Sequence, residues 1–164
     1  MTRTRSRVKV LRSVLLMASA ASMFGIFGLV SAAEPDPKVM KVNLPPDLKW
    51  TTSPSGNSTA VLYGDPTKPG LYIVLTKWSP GHMSRPHFHP NDRFITVISG
   101  TWWLGWGPKY DPASTKPVPA GSFVTHYGKQ IHYDGAKDGE CILQIVGMGP
   151  ATSTIRPRTP TTRP

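Results

Sequence analysis

The chain has 164 residues and carries 19 lysines and arginines against 9 acidic residues, a formal net charge of +10. Five of the cations lie in the first 33 residues, and without that segment the balance is 14 against 9, a net charge of +5. The remaining cations are scattered, whereas a nucleic-acid-binding surface needs a clustered basic face. Length and charge therefore predict a single domain and no nucleic-acid partner.

The N-terminal segment has the three parts of a secretory signal peptide. A basic start, MTRTRSRVKVLR, precedes the apolar run SVLLMASAASMFGIFGLV, and small residues follow at Ser31, Ala32 and Ala33. We expect residues 1–33 to be removed, with cleavage after Ala33 favoured over cleavage after Ala32. The alternative is an uncleaved membrane anchor, because residues 13–30 form a run nearly as long as the ~20 residues that span a bilayer. Cleavage predicts a periplasmic or secreted protein without stable membrane insertion.

From residue 34 onward the sequence predicts an all-β domain between two less regular segments. Residues 34–58, rich in proline and polar residues, predict an extended arm, and residues 150–164 have almost no apolar content and predict a disordered tail. Residues 59–149 contain short β-branched and aromatic segments bounded by glycine and proline, which indicate strands. These segments are 71–78, 93–99, 101–106, 121–126, 131–135 and 141–148.

No window in this region predicts an amphipathic helix, and many short strands are typical of a sandwich or barrel. Residues 107–120, GPKYDPASTKPVPA, are interpreted as a proline-rich loop between the two halves of the sheet. Gly100 separates two strand segments and predicts a tight turn between them.

Two histidines one residue apart are the first candidate metal ligands. Alternate side chains of a strand share a face, so His87 and His89 can point to one interior position. Neutral imidazole is a common ligand for transition metals. His132, which follows a turn-like segment, is the candidate for the third ligand. His126, at the end of its strand, is interpreted as a surface histidine.

Cysteine and tryptophan give weaker signals. Cys141 is the only cysteine, and its apolar neighbours in CILQIV predict a buried side chain rather than a reactive thiol.

In TWWLGW, Trp102, Leu104 and Trp106 lie on one side of a strand and Trp103 on the other. We interpret these side chains as packing residues, with Trp102 the candidate for stacking on a ligand.

The segment from Gly81 to Gly100 resembles the first conserved motif of the cupins. That motif is a glycine, five residues, His-x-His, three residues, a glutamate, six residues and a glycine. Here it reads G-HMSRP-HFH-PND-R-FITVIS-G, with every spacing kept and Arg93 in place of the glutamate.

The segment from Gly121 to Ala136 resembles the second cupin motif in its spacing. It retains the first glycine, Gly121, and the histidine, His132. The residues that replace the motif's proline, second glycine and asparagine are Tyr127, Lys129 and Ala136.

The resemblance implies a small antiparallel jelly-roll β-barrel with a metal inside it. His87, His89 and His132 would bind a divalent transition metal, with zinc, manganese, iron, nickel and copper all open. Because cupins commonly pair through an outer sheet, the resemblance also implies a homodimer.

Arg93 stands where most metal-binding cupins have a fourth ligand, and a guanidinium has no lone pair to donate and stays charged. In one interpretation the histidines hold the metal alone, while Arg93 pairs with Asp92 or holds an anionic ligand. In a second, the pocket is metal-free and Arg93 binds a carboxylate or phosphate. In a third, the pocket is vestigial. Gln130 is a further candidate ligand contact, whereas Asp92 should point to the face opposite Arg93.

Two functions are therefore open on the sequence alone. The first is an exported protein that binds a transition metal beside a small-molecule pocket, with catalysis of the dioxygenase, isomerase or decarboxylase type. The second is a non-enzymatic periplasmic binder of a small anionic or sugar-like ligand, with no metal, that uses Arg93. No residue stands out in the sequence as a general base, and function depends on the site rather than on the barrel.

Overall fold

The computed structural model of the chain describes residues 34–155. It contains two short 3₁₀ helices, Pro45–Asp47 and Pro112–Ser114, and these strands: β1 (Trp50–Thr52), β2 (Asn57–Tyr63), β3 (Gly70–Trp78), β4 (His87–Phe88), β5 (Arg93–Ser99), β6 (Thr101–Trp106), β7 (Lys116–Pro119), β8 (Phe123–His126), β9 (His132–Gly135), β10 (Cys141–Gly149) and β11 (Thr154–Ile155). The predicted signal peptide, residues 1–33, lies outside the described residues. Within residues 34–155, no helix is long and apolar enough to cross a membrane.

The strands form two antiparallel sheets. One has six strands in the order β1-β2-β3-β10-β5-β8, and the other has five in the order β11-β4-β9-β6-β7. Alternate residues from both sheets meet in one core, formed by Tyr72, Val74, Trp78, Ile95, Val97, Trp102, Ala136, Cys141, Leu143 and Ile145. This arrangement confirms the predicted all-β fold of jelly-roll type, and the core position of Cys141 agrees with its apolar neighbours.

The chain passes from the six-stranded sheet to the five-stranded sheet at Gly100. This residue has φ of 72°, in the left-handed region that favours glycine. A Cβ here would lie 2.1 Å from the carbonyl oxygen of Glu140. The tight turn predicted at Gly100 therefore joins β5 of the six-stranded sheet to β6 of the five-stranded sheet.

The interpretation of residues 107–120 as a loop is wrong at its C-terminal end. Residues 116–119 form β7, which pairs with β6 at the edge of the five-stranded sheet. Proline has no N–H and is tolerated in a sheet only where that donor would point away from a neighbour, as on an edge strand. Pro117 and Pro119 meet this condition, so a proline-rich segment forms a strand.

Both ends of the domain are more ordered than predicted. The predicted arm, residues 34–58, includes β1 and the start of β2, so the six-stranded sheet begins inside it. The prediction of a disordered tail is wrong for residues 150–155, because Thr154 and Ile155 pair with β4 and form β11. Backbone pairing with an open sheet edge needs no apolar side chains, and for that reason composition did not reveal it.

Candidate metal centre

Three buried histidines from two strands converge inside the barrel. His87 begins β4, His89 follows its end, and His132 begins β9 directly opposite His87 in the antiparallel register. One ring nitrogen of each lies within 4.8 Å of a ring nitrogen of the others. The structure thus brings together the three residues that the sequence singled out as metal ligands.

Each of these imidazoles is held by a hydrogen bond from Nδ1 to a backbone carbonyl oxygen. The acceptors are Arg85 for His87 (2.8 Å), Thr152 for His89 (2.9 Å) and Gln130 for His132 (3.1 Å). Because a carbonyl oxygen can only accept, Nδ1 must carry the hydrogen in all three rings. In a neutral ring Nε2 then presents a lone pair, and this is the arrangement found around metal-bound histidines.

The Nε2 atoms are left without suitable partners. Those of His87 and His89 lie 3.1 Å apart, so two lone pairs face each other, and Nε2 of His132 is buried with no hydrogen-bond partner. A proton or a metal cation would relieve this repulsion. Burial, reinforced by the charge of Arg93, lowers the pKa of His89 to about 3, and burial lowers that of His132 to about 4. A proton is therefore disfavoured on His89 and His132 at neutral pH, and the three residues fit a divalent metal ion.

Arg93 points into the same region from β5. Its Nη2 donates to Nδ1 of His126 (3.2 Å), its cross-strand partner on β8, while Nε is buried without a partner. Burial lowers the pKa of Arg93, and the nearby Asp134 and Tyr72 partly offset that effect. The pairing with Asp92, one of the options left open for Arg93, is not observed, and Asp92 accepts a hydrogen bond from the Gly128 amide (2.7 Å) instead.

His126 was wrongly interpreted as a surface residue. It is 8 % exposed, and its ring centroid lies 3.9 Å from that of His132. Burial lowers its pKa, with smaller contributions from His132 and Arg93. The alternation along β8 could have indicated this position, since Val124 and His126 share the inner face that packs toward the core.

Asp134 is a site residue that the sequence interpretation missed. It lies two residues after His132 on the same face of β9, is buried, and accepts a hydrogen bond from Ser84 Oγ (3.0 Å). Ligand atoms of His126, His132 and Asp134 also lie within 4.8 Å of one another. The sequence signal for Asp134 is its position two residues after His132, because alternate side chains of a strand lie on the same face.

A cavity of about 570 Å³ opens beside the histidines. His87, His89, Arg93 and Asp134 line one end of it. The other walls are mainly apolar or carry hydroxyl groups and come from β2, β3, β10 and the C-terminal segment: Asn57, Thr59, Tyr72, Val74, Thr76, Trp78, Leu143, Ile145, Ala151, Ser153 and Ile155. The volume is within the range of small-molecule pockets, roughly 300–1,000 Å³.

Two candidate ligand contacts lie outside this cavity. The side chain of Gln130 is exposed, and the residue contributes its backbone carbonyl to the orientation of His132. Trp102 is fully buried in the core, and its ring centroid lies 5.2 Å from that of His126. Trp102 therefore packs behind the site and does not line the cavity.

No protein-family model matches the sequence, and no curated protein matches it. Among solved structures, the polyketide cyclase RemF from Streptomyces resistomycificus is similar with a TM-score of 0.61 and 19 % identity over 74 % of this chain and 88 % of that one. The cupin-2 domain protein Rru_A2000 from Rhodospirillum rubrum has a TM-score of 0.55 and 15 % identity over 72 % and 80 %. KdgF from Halomonas sp. has a TM-score of 0.52 and 15 % identity over 64 % and 89 %. These likenesses confirm the cupin fold.

Proposed function

We propose that this chain, which has the cupin fold, binds one divalent transition metal through His87, His89 and His132 and takes a small molecule in the adjacent cavity. The observation that carries the proposal is the set of three Nδ1–carbonyl hydrogen bonds, which leaves the Nε2 lone pair of each clustered ring without a hydrogen-bond donor. Three imidazoles with an open position are an accepted catalytic metal site.

When bound, the metal supplies Lewis-acid polarisation of a coordinated group. The chain's own residues do the rest. Apolar residues of β3 and β10 exclude water from the cavity, and Asp134 is the carboxylate placed to accept a proton from a ligand there. RemF, described as a polyketide cyclase, supports an enzymatic role on a small molecule for a site on this fold.

The second candidate is a metal-free binder of an anionic ligand, favoured by the unpartnered Nε of Arg93. Metal analysis separates the two. Protein purified without added metal, and again after loading with zinc, manganese, iron, nickel or copper, should hold about one equivalent of one metal. Less than about a tenth of an equivalent of every metal after loading would reject the metal centre in favour of the binder.

Substitution of the ligands identifies the site. His132→Ala and His89→Ala should abolish metal retention, whereas His82→Ala should not. His82 is the matched control because it is exposed and its Nδ1 is also hydrogen-bonded to a carbonyl, that of Pro80 (3.0 Å). Equal metal loss in the His82 variant would show that binding is non-specific.

We further propose that the mature protein is exported and forms a homodimer. Export is supported by the signal-peptide pattern of residues 1–33, and N-terminal sequencing of the mature protein together with cell fractionation tests it. The homodimer is supported by exposed apolar side chains on the outer face of the six-stranded sheet, where Phe94 and Phe123 stack at 6.5 Å. Light scattering on the eluting protein measures the mass; a monomer at micromolar concentration would reject it.

A further inference from the structure

Arg93 is an incompletely paired charge, half-buried beside the cavity. Its Nε is buried without a partner, and its Nη2 donates to a neutral imidazole rather than to a carboxylate. Within residues 34–155 the ion pairs are Lys68–Asp65 and Lys77–Glu140, and neither involves Arg93. A buried cation without a paired anion is strongly destabilising unless another group compensates it.

The surroundings supply only part of that compensation, through the nearby Asp134 and Tyr72. Among residues 34–155, Asp134 is the only acidic residue that lines the cavity, and its Oδ1 already accepts a hydrogen bond from Ser84. A divalent ion held by neutral imidazoles would add two positive charges close to Arg93. The cavity end formed by the histidines and Arg93 is then short of negative charge.

The rest of the cavity defines what kind of molecule can carry that negative charge. Val74, Leu143 and Ile145 form an apolar wall with Trp78, while Thr59 and Thr76 add hydroxyl groups. A volume of about 570 Å³ accommodates a small organic molecule rather than an inorganic ion alone.

We infer that the ligand of this cavity is a small organic carboxylate, with its carboxylate held by Arg93 and its apolar body against the β3–β10 wall. The inference rests on the proposed function for the position of the ligand beside the metal. Arg93 is thus a specificity-determining residue, because a guanidinium recognises the planar oxygen pair of a carboxylate by two parallel hydrogen bonds.

Arg85 provides an internal control. It also lines the cavity, but it is exposed, and its guanidinium lies 4.5 Å from the centroid of the Tyr110 ring. Both residues are arginines at the same cavity, and only Arg93 has a buried donor without a partner. Substitution of the Arg85 side chain keeps the backbone carbonyl that holds His87, and it changes the net charge equally without removing the proposed anchor.

Calorimetric titration of the zinc-loaded protein with benzoate and with benzamide tests the inference. The two probes share shape and apolar ring, and only benzoate is charged. The wild-type protein and Arg85→Gln should bind benzoate at least about tenfold more tightly than benzamide, a difference of ~1.4 kcal/mol. Arg93→Gln should lose that preference, while Arg93→Lys keeps part of it because it retains the charge without the planar pair of donors.

The glutamine variant is expected to fold, since it replaces an incompletely paired charge with a neutral polar side chain. Thermal unfolding checks this: benzoate should raise the melting temperature of the wild-type protein and leave that of Arg93→Gln unchanged. Equal affinity for the two probes, an unchanged preference in Arg93→Gln, or no benzoate binding up to about 10 mM would overturn the inference.

The metal content of every sample is measured in parallel, and the titrations are repeated after chelation. If the protein holds no metal, the proposed metal centre fails, but an Arg93-dependent preference for benzoate in the metal-free protein still supports the carboxylate. If the protein holds zinc and shows no such preference, the carboxylate is rejected while the metal centre stands.

Discussion

The Nδ1 of His89 donates a hydrogen bond to the carbonyl oxygen of Thr152, 63 residues further along the chain, over 2.9 Å. The segment that provides this acceptor also supplies Ala151, Ser153 and Ile155 to the cavity wall. The C-terminal segment therefore both orients a candidate metal ligand and closes the cavity.

Removal of residues 151–164 should weaken metal binding about 10- to 100-fold, because the partners that orient metal-bound histidines contribute at this level. A chain that ends after Ile155 is the control, since it keeps Thr152 and β11. Competition with a chromophoric chelator measures both affinities. Equal affinity in the two truncated proteins would show that the Thr152 carbonyl is dispensable.

Replacement of Arg93 should tighten metal binding in a defined order. Arg93→Gln removes the positive charge beside the metal, and Arg93→Glu also supplies a carboxylate at the position of the fourth cupin ligand. We expect the affinity to rise from wild type to glutamine to glutamate, with at least a tenfold difference (~1.4 kcal/mol) between the extremes. The same chelator competition measures the three affinities. An unchanged metal affinity in the glutamate variant would show that the side chain at position 93 does not act on the metal.

The metal-free protein should lose stability as the pH falls from about 6.5 toward 4. Burial lowers the folded-state pKa of His89 to about 3 and that of His132 to about 4, whereas an unfolded histidine titrates near 6.5. In this range the unfolded chain binds more protons, so each of these histidines lowers the free energy of unfolding by ~1.4 kcal/mol per pH unit.

Urea unfolding in the presence of a chelator, at several pH values, measures this slope. His132→Gln should flatten it by about one histidine's contribution, and the exposed-site variant His82→Gln should leave it unchanged. If the free energy of unfolding changed equally with pH in all three proteins, the lowered folded-state pKa of His132 would be contradicted.

Gly105 should be intolerant of even a methyl group. A Cβ there would lie 2.1 Å from the Tyr133 ring, whose hydroxyl donates to the Asp111 carbonyl (3.0 Å). Gly105→Ala should therefore cost about 1–3 kcal/mol of unfolding free energy through overpacking. Gly139→Ala is the control, because a Cβ there would contact nothing within 4 Å. Chemical denaturation compares the two, and equal stability would mean that the Tyr133 ring moves freely.

The sequence was sufficient to predict most of the sheet and the three converging histidines. In strand segments such as 71–78 and 141–148, apolar side chains alternate strongly enough to predict which face points into the core. The cupin-like spacing predicted His87, His89 and His132 as ligands of one site. His126 and Asp134 follow the same alternation: Val124 and His126 share one face of β8, and His132 and Asp134 share one face of β9.

Other parts of the site had no signal in the sequence. The acceptors at Arg85, Gln130 and Thr152 are backbone carbonyls, which every residue possesses, so only the folded chain shows which of them face a histidine. The same holds for β11, whose pairing with β4 depends on an open sheet edge rather than on apolar side chains.

The two prolines of β7 have a consequence for how molecules of this protein meet. Pro117 and Pro119 lie on the outermost strand of the five-stranded sheet, with Val118 between them paired to Trp102. A β-strand of another molecule could donate hydrogen bonds to backbone carbonyls along this edge. It would receive none from Pro117 and Pro119, because proline has no backbone N–H. The two missing amide donors thus oppose fibril-like stacking on this side.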